Sequence, residues 1–225
     1  MPYFPVSLDL RNRKCLVAGA GEVGLRKIQR LIEASPAEIL VVEPDPDPDL
    51  QALAERNGTL RLARRRFRSD DLQDRFLVIA STGDQLVNEE ISRLCRERNI
   101  LCNIVDKPEL CSFILPALFR RGELTFAVST GGASPALARG VKERLEECFG
   151  PEYAMWTRLL GRLRPQVLEL GLDSESNKAV FRSLCREDVL QALQNEDREE
   201  IIRLLRSRLP DRLHSEIGTV LDELF

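Results

Sequence analysis

The sequence predicts an α/β protein: an N-terminal parallel sheet wound with helices, then a hairpin with one helix, then an all-helical C-terminal part. Three observations predict it. Short apolar runs alternate with stretches of helical periodicity as far as Val105, the first run ends in a glycine-rich turn that opens a helix, and from Pro151 onward the pattern is helical throughout.

Lys14–Ala18 is a short apolar run ending at a glycine, which reads as a buried strand. Glu22–Glu33 carries Val23, Ile28, Leu31 and Ile32 at near-helical spacing and reads as a helix. Glu38–Val42 is the second strand. The alternating prolines and aspartates from Pro44 to Asp49 are expected to break regular structure. Leu50–Arg56 is helical, Leu60–Ala63 is strand three and Phe76–Ala80 strand four. Leu86–Arg98 is a helix with Val87, Ile91 and Leu94 on one side, and Leu101–Val105 is strand five. Strands alternating with helices imply a parallel, doubly wound sheet. Phe113–Phe119 and Leu124–Ser129, joined by Arg120-Arg121-Gly122-Glu123, read instead as a hairpin. Pro135–Phe149 is a helix capped by Ser134, with proline at its first position. Asn195 is expected to cap a later helix with an acidic first turn, which Pro210 stops. Leu213, Ile217, Val220 and Leu224 mark one face of the last helix. The expected division is residues 1–112, 113–150 and 151–225.

With 225 residues, the chain exceeds a typical single domain and falls short of two full ones. A content of 43% hydrophobic and 31% charged residues fits a globular protein with a real core. A net charge of −3 gives no electrostatic case for nucleic acid, and Arg61 with Arg64–Arg65–Arg66 and Arg68 reads as a solvated face. No segment has the ~18 apolar residues that span a bilayer. Met1-Pro2-Tyr3-Phe4-Pro5 lacks the features of a signal peptide. Six cysteines without any C-x-x-C pair fit reduced thiols, so the cytoplasm is the expected compartment.

Gly19-Ala20-Gly21-Glu22-Val23-Gly24 matches G-x-G-x-x-G between a strand and a helix, the context that makes this motif a dinucleotide site. Gly19 allows the tight turn, Gly21 lets backbone approach a diphosphate, and Gly24 lets helix and strand pack closely. The diphosphate would lie on free N–H groups at the positive end of the helix. Roughly 20 residues after such a motif, a carboxylate at the end of strand two binds the adenosine ribose. Glu43 fills that place and Asp45 follows, which favours NAD over NADP. The arginines 64–66 are the counterweight if they lie at the same edge.

Longer stretches resemble the precorrin-2 dehydrogenases, the siroheme synthase N-terminal family. They are Gly19–Gly24 with Arg26-Lys27, Val42-Glu43-Pro44-Asp45, and Ala80-Ser81-Thr82 with Val87-Asn88. More specific are Cys102-Asn103-Ile104-Val105-Asp106, Ser112-Phe113-Ile114-Leu115-Pro116 and Val128-Ser129-Thr130-Gly131-Gly132-Ala133-Ser134-Pro135. The resemblance covers about the first 150 residues in order. It implies NAD-dependent oxidation of the tetrapyrrole precorrin-2 to sirohydrochlorin, in a homodimer built on the hairpin region. Some members also insert ferrous iron, so a bifunctional enzyme stays open. Some relatives carry a C-terminal methyltransferase domain, which is not expected in this chain. For the cofactor the resemblance implies Gly19, Gly21, Glu22, Val23, Gly24, Glu43, Pro44, Asp45 and Thr82. For the substrate it implies Thr130, Gly131, Gly132 and Ser134.

Asp106 follows strand five at its carboxyl end, where open α/β sheets place ligands. The resemblance makes it the catalytic residue, a general base for the proton that leaves with the substrate's electrons. A plain strand-end turn with Lys107-Pro108 is the other reading. Thr130–Ser134 offers N–H groups to an anion, while Ser134 also reads simply as a helix cap, and Arg120, Arg121, Arg139 and Lys142 read as solvated. The sole histidine, His214, rules out a multi-histidine metal cage within one chain, so no metal ligand is nominated. Cys95, Cys102, Cys111 and Cys148 read as small buried hydrophobes.

The chain departs from the family in a longer Pro/Asp stretch. Gly24 stands where many relatives have alanine, a change the motif is expected to tolerate. Thr130 replaces a serine that can be phosphorylated in some relatives, leaving modification of Ser129 or Thr130 open. No functional residue is carried over beyond Gly150. A rival of another class is a non-catalytic NAD-sensing module, which would need neither Asp106 nor the 130–135 loop.

Overall fold

The computed structural model describes residues 3–222 and Leu224. Met1 and Pro2, part of the signal-peptide reading, lie outside the described residues. The chain divides into two compact units, one through Leu115 and one from Pro116.

The first unit is a five-stranded sheet: β1 Lys14–Ala18, β2 Glu38–Val42, β3 Leu60–Ala63, β4 Leu77–Ala80 and β5 Leu101–Ile104. Its order is β3-β2-β1-β4-β5, and every pairing is parallel. Helix α1 (Glu22–Glu33), α2 (Pro48–Arg56) and α3 (Gln85–Glu97) make three of the crossovers, and a loop with a 3-10 turn at Ser69–Leu72 joins β3 to β4. Successive strand residues face opposite sides, and both sides are covered, so β1 and β4 read as unbroken apolar runs. Cys15, Val17, Ile39, Val41, Leu77 and Ile79 pack with Ile28 and Leu31 of α1. Leu16, Ala18, Val78 and Ala80 pack with Ile91, Leu94 and Cys95 of α3.

Register positions the site. One row across the sheet holds Ala63, Val42, Ala18, Ala80 and Ile104, the last residue of each strand. The residues that follow these strands therefore leave the sheet along one edge. The chain winds away from β1 in one direction through β2 and β3, and in the other through β4 and β5, which makes a switch point between β1 and β4.

The second unit opens with an antiparallel hairpin, β6 Ala117–Arg121 and β7 Leu124–Val128, with Gly122 at φ 58 in its turn. Phe119 and Phe126 face each other with ring centroids 4.5 Å apart, and Phe149 continues the stack. Helix α4 (Pro135–Cys148) ends against the hairpin, where Arg121 donates to the carbonyls of Phe149 at 2.7 Å and Glu146 at 2.9 Å. Among the described residues the α-helices that follow are α5 Glu152–Glu169, α6 Ser174–Leu184, α7 Glu187–Gln194, α8 Arg198–Arg208 and α9 Ile217–Asp222. They enclose a core that includes Leu159, Leu163, Leu184, Leu193, Ile201, Leu205 and Leu221. No helix among the described residues is long and apolar enough to cross a membrane.

Several sequence readings need correction. Helix α2 begins inside the Pro/Asp stretch, because Asp47 caps it by accepting from Leu50 N–H at 2.7 Å and Pro48 suits the first turn. The cap of α8 is Asp197, which accepts from Glu200 N–H, while Asn195 closes α7. The hairpin starts at Ala117, not Phe113, since residues 111–113 run along the edge of β5. Val23 is exposed, and Leu25 packs on the core in its place. The arginine run is not simply solvated: Arg65 makes two bonds to Asp71, at 2.8 and 2.6 Å, and the Asp71 side chain is only 5% exposed. Cys148 is exposed and Cys111 half-buried, against the expectation for both. Burial pushes the Cys15 thiol up to about 11, and the Cys102 thiol is raised by its hydrogen bond to Cys95 and by burial, consistent with inert thiols.

At the opposite edge of the sheet Arg75 bonds Glu38 at 2.5 Å, the two side chains 11% and 15% exposed. Burial pushes the Glu38 carboxyl up, but the Arg75 hydrogen bond with the charges of Arg75, Arg61 and Lys14 outweighs it. For Asp71, burial is likewise outweighed by Arg65 and Arg68. Both carboxyls end below their ordinary values. Their contribution is therefore complete above the unfolded pKa and is lost as pH falls through the lower, folded value. Thermal melts should show stability dropping below roughly pH 4. Glu38→Gln should cost about 1–3 kcal/mol at neutral pH and flatten that acid limb.

Candidate active site

Gly19 leaves β1 at φ 83, a left-handed conformation that glycine adopts without strain. A Cβ there would stand 2.6 Å from the Ser81 carbonyl and the Thr82 nitrogen. Ser81 Oγ donates to the Gly19 carbonyl at 2.7 Å. Gly24 completes this close meeting of backbones, because a Cβ on it would meet the Gly19 oxygen at 2.5 Å. Glycine is thus accommodated here, as the sequence reading expected, and an alanine at position 24 of this chain would require a shift.

Gly21 differs: a Cβ there would meet nothing within 4 Å. It is the N-cap of α1 and supplies no side-chain acceptor. The N–H groups of Gly21, Glu22, Val23 and Gly24 find no acceptor among the described residues, since the helix's bonding begins with Leu25 N–H to the Gly21 carbonyl. Four open donors at a helix N-terminus, above a residue with no side chain, fit the diphosphate of a dinucleotide. Glu22 and Val23 lend only backbone: the Glu22 carboxylate pairs with Arg26 at 3.0 Å, and Val23 is exposed.

Glu43 lies one residue past β2. Its carboxylate accepts from Ala20 N–H at 2.8 Å and Asp45 N–H at 3.1 Å, so it is fixed against the glycine loop with lone pairs left for a ribose. Pro44 and Asp45 are exposed beside it. Arg64 also reaches this edge, since Glu43 N–H donates to the Ala63 carbonyl, but Arg64 is held by Gln51 of α2 at 2.8 Å. Thr82 is braced, its hydroxyl 2.8 Å from Asn88 Oδ1, while Asn88 Nδ2 donates to the Thr82 carbonyl at 3.0 Å.

Asp106 sits past β5 at φ 61, exposed, in a turn closed by Lys107 N–H to the Ile104 carbonyl at 3.3 Å. Aspartate is among the few L residues that adopt this conformation readily. Gly19, Glu43, Ser81, Thr82 and Asp106 thus share one edge of the first unit.

Sequence reasoning missed three residues here. Asn88 is a polar side chain buried on the apolar face of α3, and that mismatch was its signal. Ser81 gave none. Lys27 is half-buried on α1, its ammonium pushed below its ordinary value by burial and then by Arg30 and Arg26, while Asp106 acts in the opposite sense. An ammonium and the candidate carboxylate therefore feel each other.

The loop of the second unit is tightly self-bonded. Thr130 Oγ1 accepts from Ser134 N–H at 3.0 Å and lies 3.1 Å from the Ser134 carbonyl. Ser129 Oγ accepts from Gly131 N–H at 3.1 Å, and Ala133 N–H donates to the Thr130 carbonyl. Gly131 and Gly132 have φ of 64 and 91. Ser134 caps α4 by accepting from Leu137 N–H at 3.2 Å. The N–H groups of Thr130, Gly132 and Ala136 are left without an acceptor among the described residues. Arg139 and Lys142 pair with Glu143 and Glu146. No group of three or more metal-ligating side chains occurs among the described residues.

A cavity of about 460 Å³ lies at the opposite edge, lined by Asp70, Asp74, Arg75 and Arg98 among others. Its Arg75 is already committed to Glu38 and to the Asp71 carbonyl. It lies away from the glycine loop and from Asp106.

Comparison with known proteins agrees with this fold. An NAD(P)-binding family model matches residues 6–117, and a sirohaem biosynthesis protein central model matches residues 121–147. The siroheme synthase of Thioalkalivibrio sulfidiphilus is 38% identical over 216 residues, 94% of this chain and 44% of that protein. The siroheme synthase of Pseudomonas aeruginosa is 36% identical over 98% of this chain and 47% of that protein. The chain spans about half the length of these curated relatives. Among solved structures, the precorrin-2 dehydrogenase SirC superposes with a TM-score of 0.74 at 27% identity, covering 90% of this chain and 98% of that one.

Two glycines separate folding from binding. Gly21→Ala should leave the melting temperature within a few degrees yet weaken NAD binding about tenfold or more by calorimetry, since its methyl fills the cradle. Gly24→Ala should cost about 1–3 kcal/mol in denaturant unfolding, because backbone must move to admit it.

Proposed function

The chain belongs to the precorrin-2 dehydrogenase and siroheme synthase N-terminal family, and on that premise we propose that it oxidises precorrin-2 to sirohydrochlorin with NAD. The observation that carries the reading is the set of four open N–H groups from Gly21 to Gly24 on the same sheet edge as Asp106.

In this reading Gly21, Glu22, Val23 and Gly24 hold the diphosphate through backbone, and Glu43 takes the adenosine ribose, with Pro44 and Asp45 beside it and Thr82 bordering the cleft. Glu43 is pinned by two backbone donors, so it cannot swing aside for a 2′-phosphate, which favours NAD over NADP. NAD, when bound, supplies the two-electron acceptor. The substrate must release a proton as it gives up its electrons, and Asp106, exposed at the strand end, takes that proton as general base. Gly132 N–H, with Thr130, Gly131 and Ser134 shaping its loop, receives a substrate carboxylate. Residues 113–150 form the homodimer contact, and the protein acts in the cytoplasm.

Asp106→Asn keeps a side chain suited to positive φ, whereas alanine there would add strain. An anaerobic assay with precorrin-2 and NAD should show Asp106→Asn losing at least about a hundredfold in kcat while its NAD affinity stays within twofold. Full turnover in that variant would remove the base from the scheme, and no turnover in the parent would favour a non-catalytic sensor. Ferrous-iron insertion is the second reading. Sirohydrochlorin with ferrous or cobaltous ion, without NAD, should give a spectral change if the carboxylate at 106 also guides the metal, and none if the chain only dehydrogenates.

A further inference from the structure

Strand β5 is at the edge of the sheet, so no neighbouring strand holds its outer groups or the turn that follows. Ser112 takes the outer groups of Cys102, and Cys111 takes those of Ile104 together with the turn. Ile104 N–H donates to Cys111 Sγ at 3.1 Å, and the thiol faces the Ile104 carbonyl at 3.2 Å and the Lys107 carbonyl at 3.3 Å. Asn103 Nδ2 lies 3.6 Å from the same sulfur. Ile104 and Lys107 are the two ends of the turn that carries Asp106.

We propose that Cys111 is a positioning residue whose thiol clamps the Ile104–Lys107 turn, and so sets the rate of dehydrogenation through Asp106 without touching substrate or NAD. The inference rests on the reading of Asp106 as general base. Aspartate accepts φ 61, but a four-residue turn at a sheet edge can still move as a unit, and the sulfur holds it at both ends. The clamp needs the thiol to keep its proton, because the S–H is the donor shared between the two carbonyls. Burial pushes this thiol above its ordinary value and Glu109 adds to the rise, against the Ile104 backbone bond, so the proton stays. Cys111 is half-buried and also packs against the core beside Ile104, so bonding and volume must be separated.

Two substitutions separate bonding from volume. Cys111→Val keeps the bulk and loses every bond, whereas Cys111→Ser keeps donor and acceptor. With precorrin-2 and NAD under anaerobic conditions, Cys111→Val should lose about tenfold or more in kcat with both KM values within about threefold. Cys111→Ser should stay within about threefold of the parent kcat. In the Asp106→Asn background, adding Cys111→Val should change the residual rate by less than about twofold, because the clamp acts only through the carboxylate. Parental kcat in Cys111→Val, an equal fall in Cys111→Ser, an additive loss in the double variant, or failure of Cys111→Val to fold would each overturn the proposal. Parental kcat in Asp106→Asn alone would overturn the base reading, and the clamp with it.

Discussion

Three stretches of backbone meet where β1 and β4 end: the Gly19 turn, the Ser81–Thr82 step and the first turn of α1 at Gly24. The approach is so close that a single methylene at Gly19 or Gly24 would fall within 2.6 Å of main-chain atoms. Chemistry at this edge depends on that meeting. It turns the start of α1 so that four N–H groups face outward, and it ties them to β4, whose far neighbour β5 carries Asp106. Parallel register does the rest, since ending all five strands on one row delivers the glycine loop, Glu43, Thr82 and Asp106 to the same side.

The polar side chains around this knot mostly serve backbone. Ser81 bonds the Gly19 carbonyl, Glu43 takes the Ala20 and Asp45 amides, Asn88 braces Thr82, and Cys111 brackets the 104–107 turn. Each loop at the carboxyl edge is thus held by a side chain from another segment or a later residue. Rigid placement of this kind is what a cofactor site needs, because misplacement by about 1 Å can lower a rate a hundredfold. The second unit uses the same economy, with Thr130 and Ser134 closing their own loop.

Much of this was legible in the residues. β1, α1, β2 and β3 fall at the expected bounds because apolar runs and a glycine turn mark their ends unambiguously. The start of α2 was hidden because Asp47-Pro48 is both a turn signal and a good helix start, and only the bond to Leu50 N–H decides between them. Asn195 and Asp197 are two plausible caps two residues apart, and which one bonds Glu200 N–H is a matter of backbone path. Arg65 looked solvated because its partner Asp71 becomes buried only once the loop after β3 folds back. At the site, Gly19 and Glu43 were nominated from spacing and Asp106 from the family resemblance, whereas the contacts of Ser81, Lys27 and Cys111 are made by the folded chain and no local pattern encodes them. In the 130–134 loop the Ser129 and Thr130 hydroxyls take the Gly131 and Ser134 amides, a pairing that only the folded loop reveals.

The central claim is that the turn after β1 grips a diphosphate and thereby sets a nicotinamide ring beside the carboxylate of Asp106. A crystal structure of the NAD complex tests it most directly. The account predicts diphosphate oxygens on the amides of residues 21–24, a ribose on Glu43 and the nicotinamide next to Asp106. A diphosphate bound elsewhere, or a ring turned away from that carboxylate in every subunit, would contradict it.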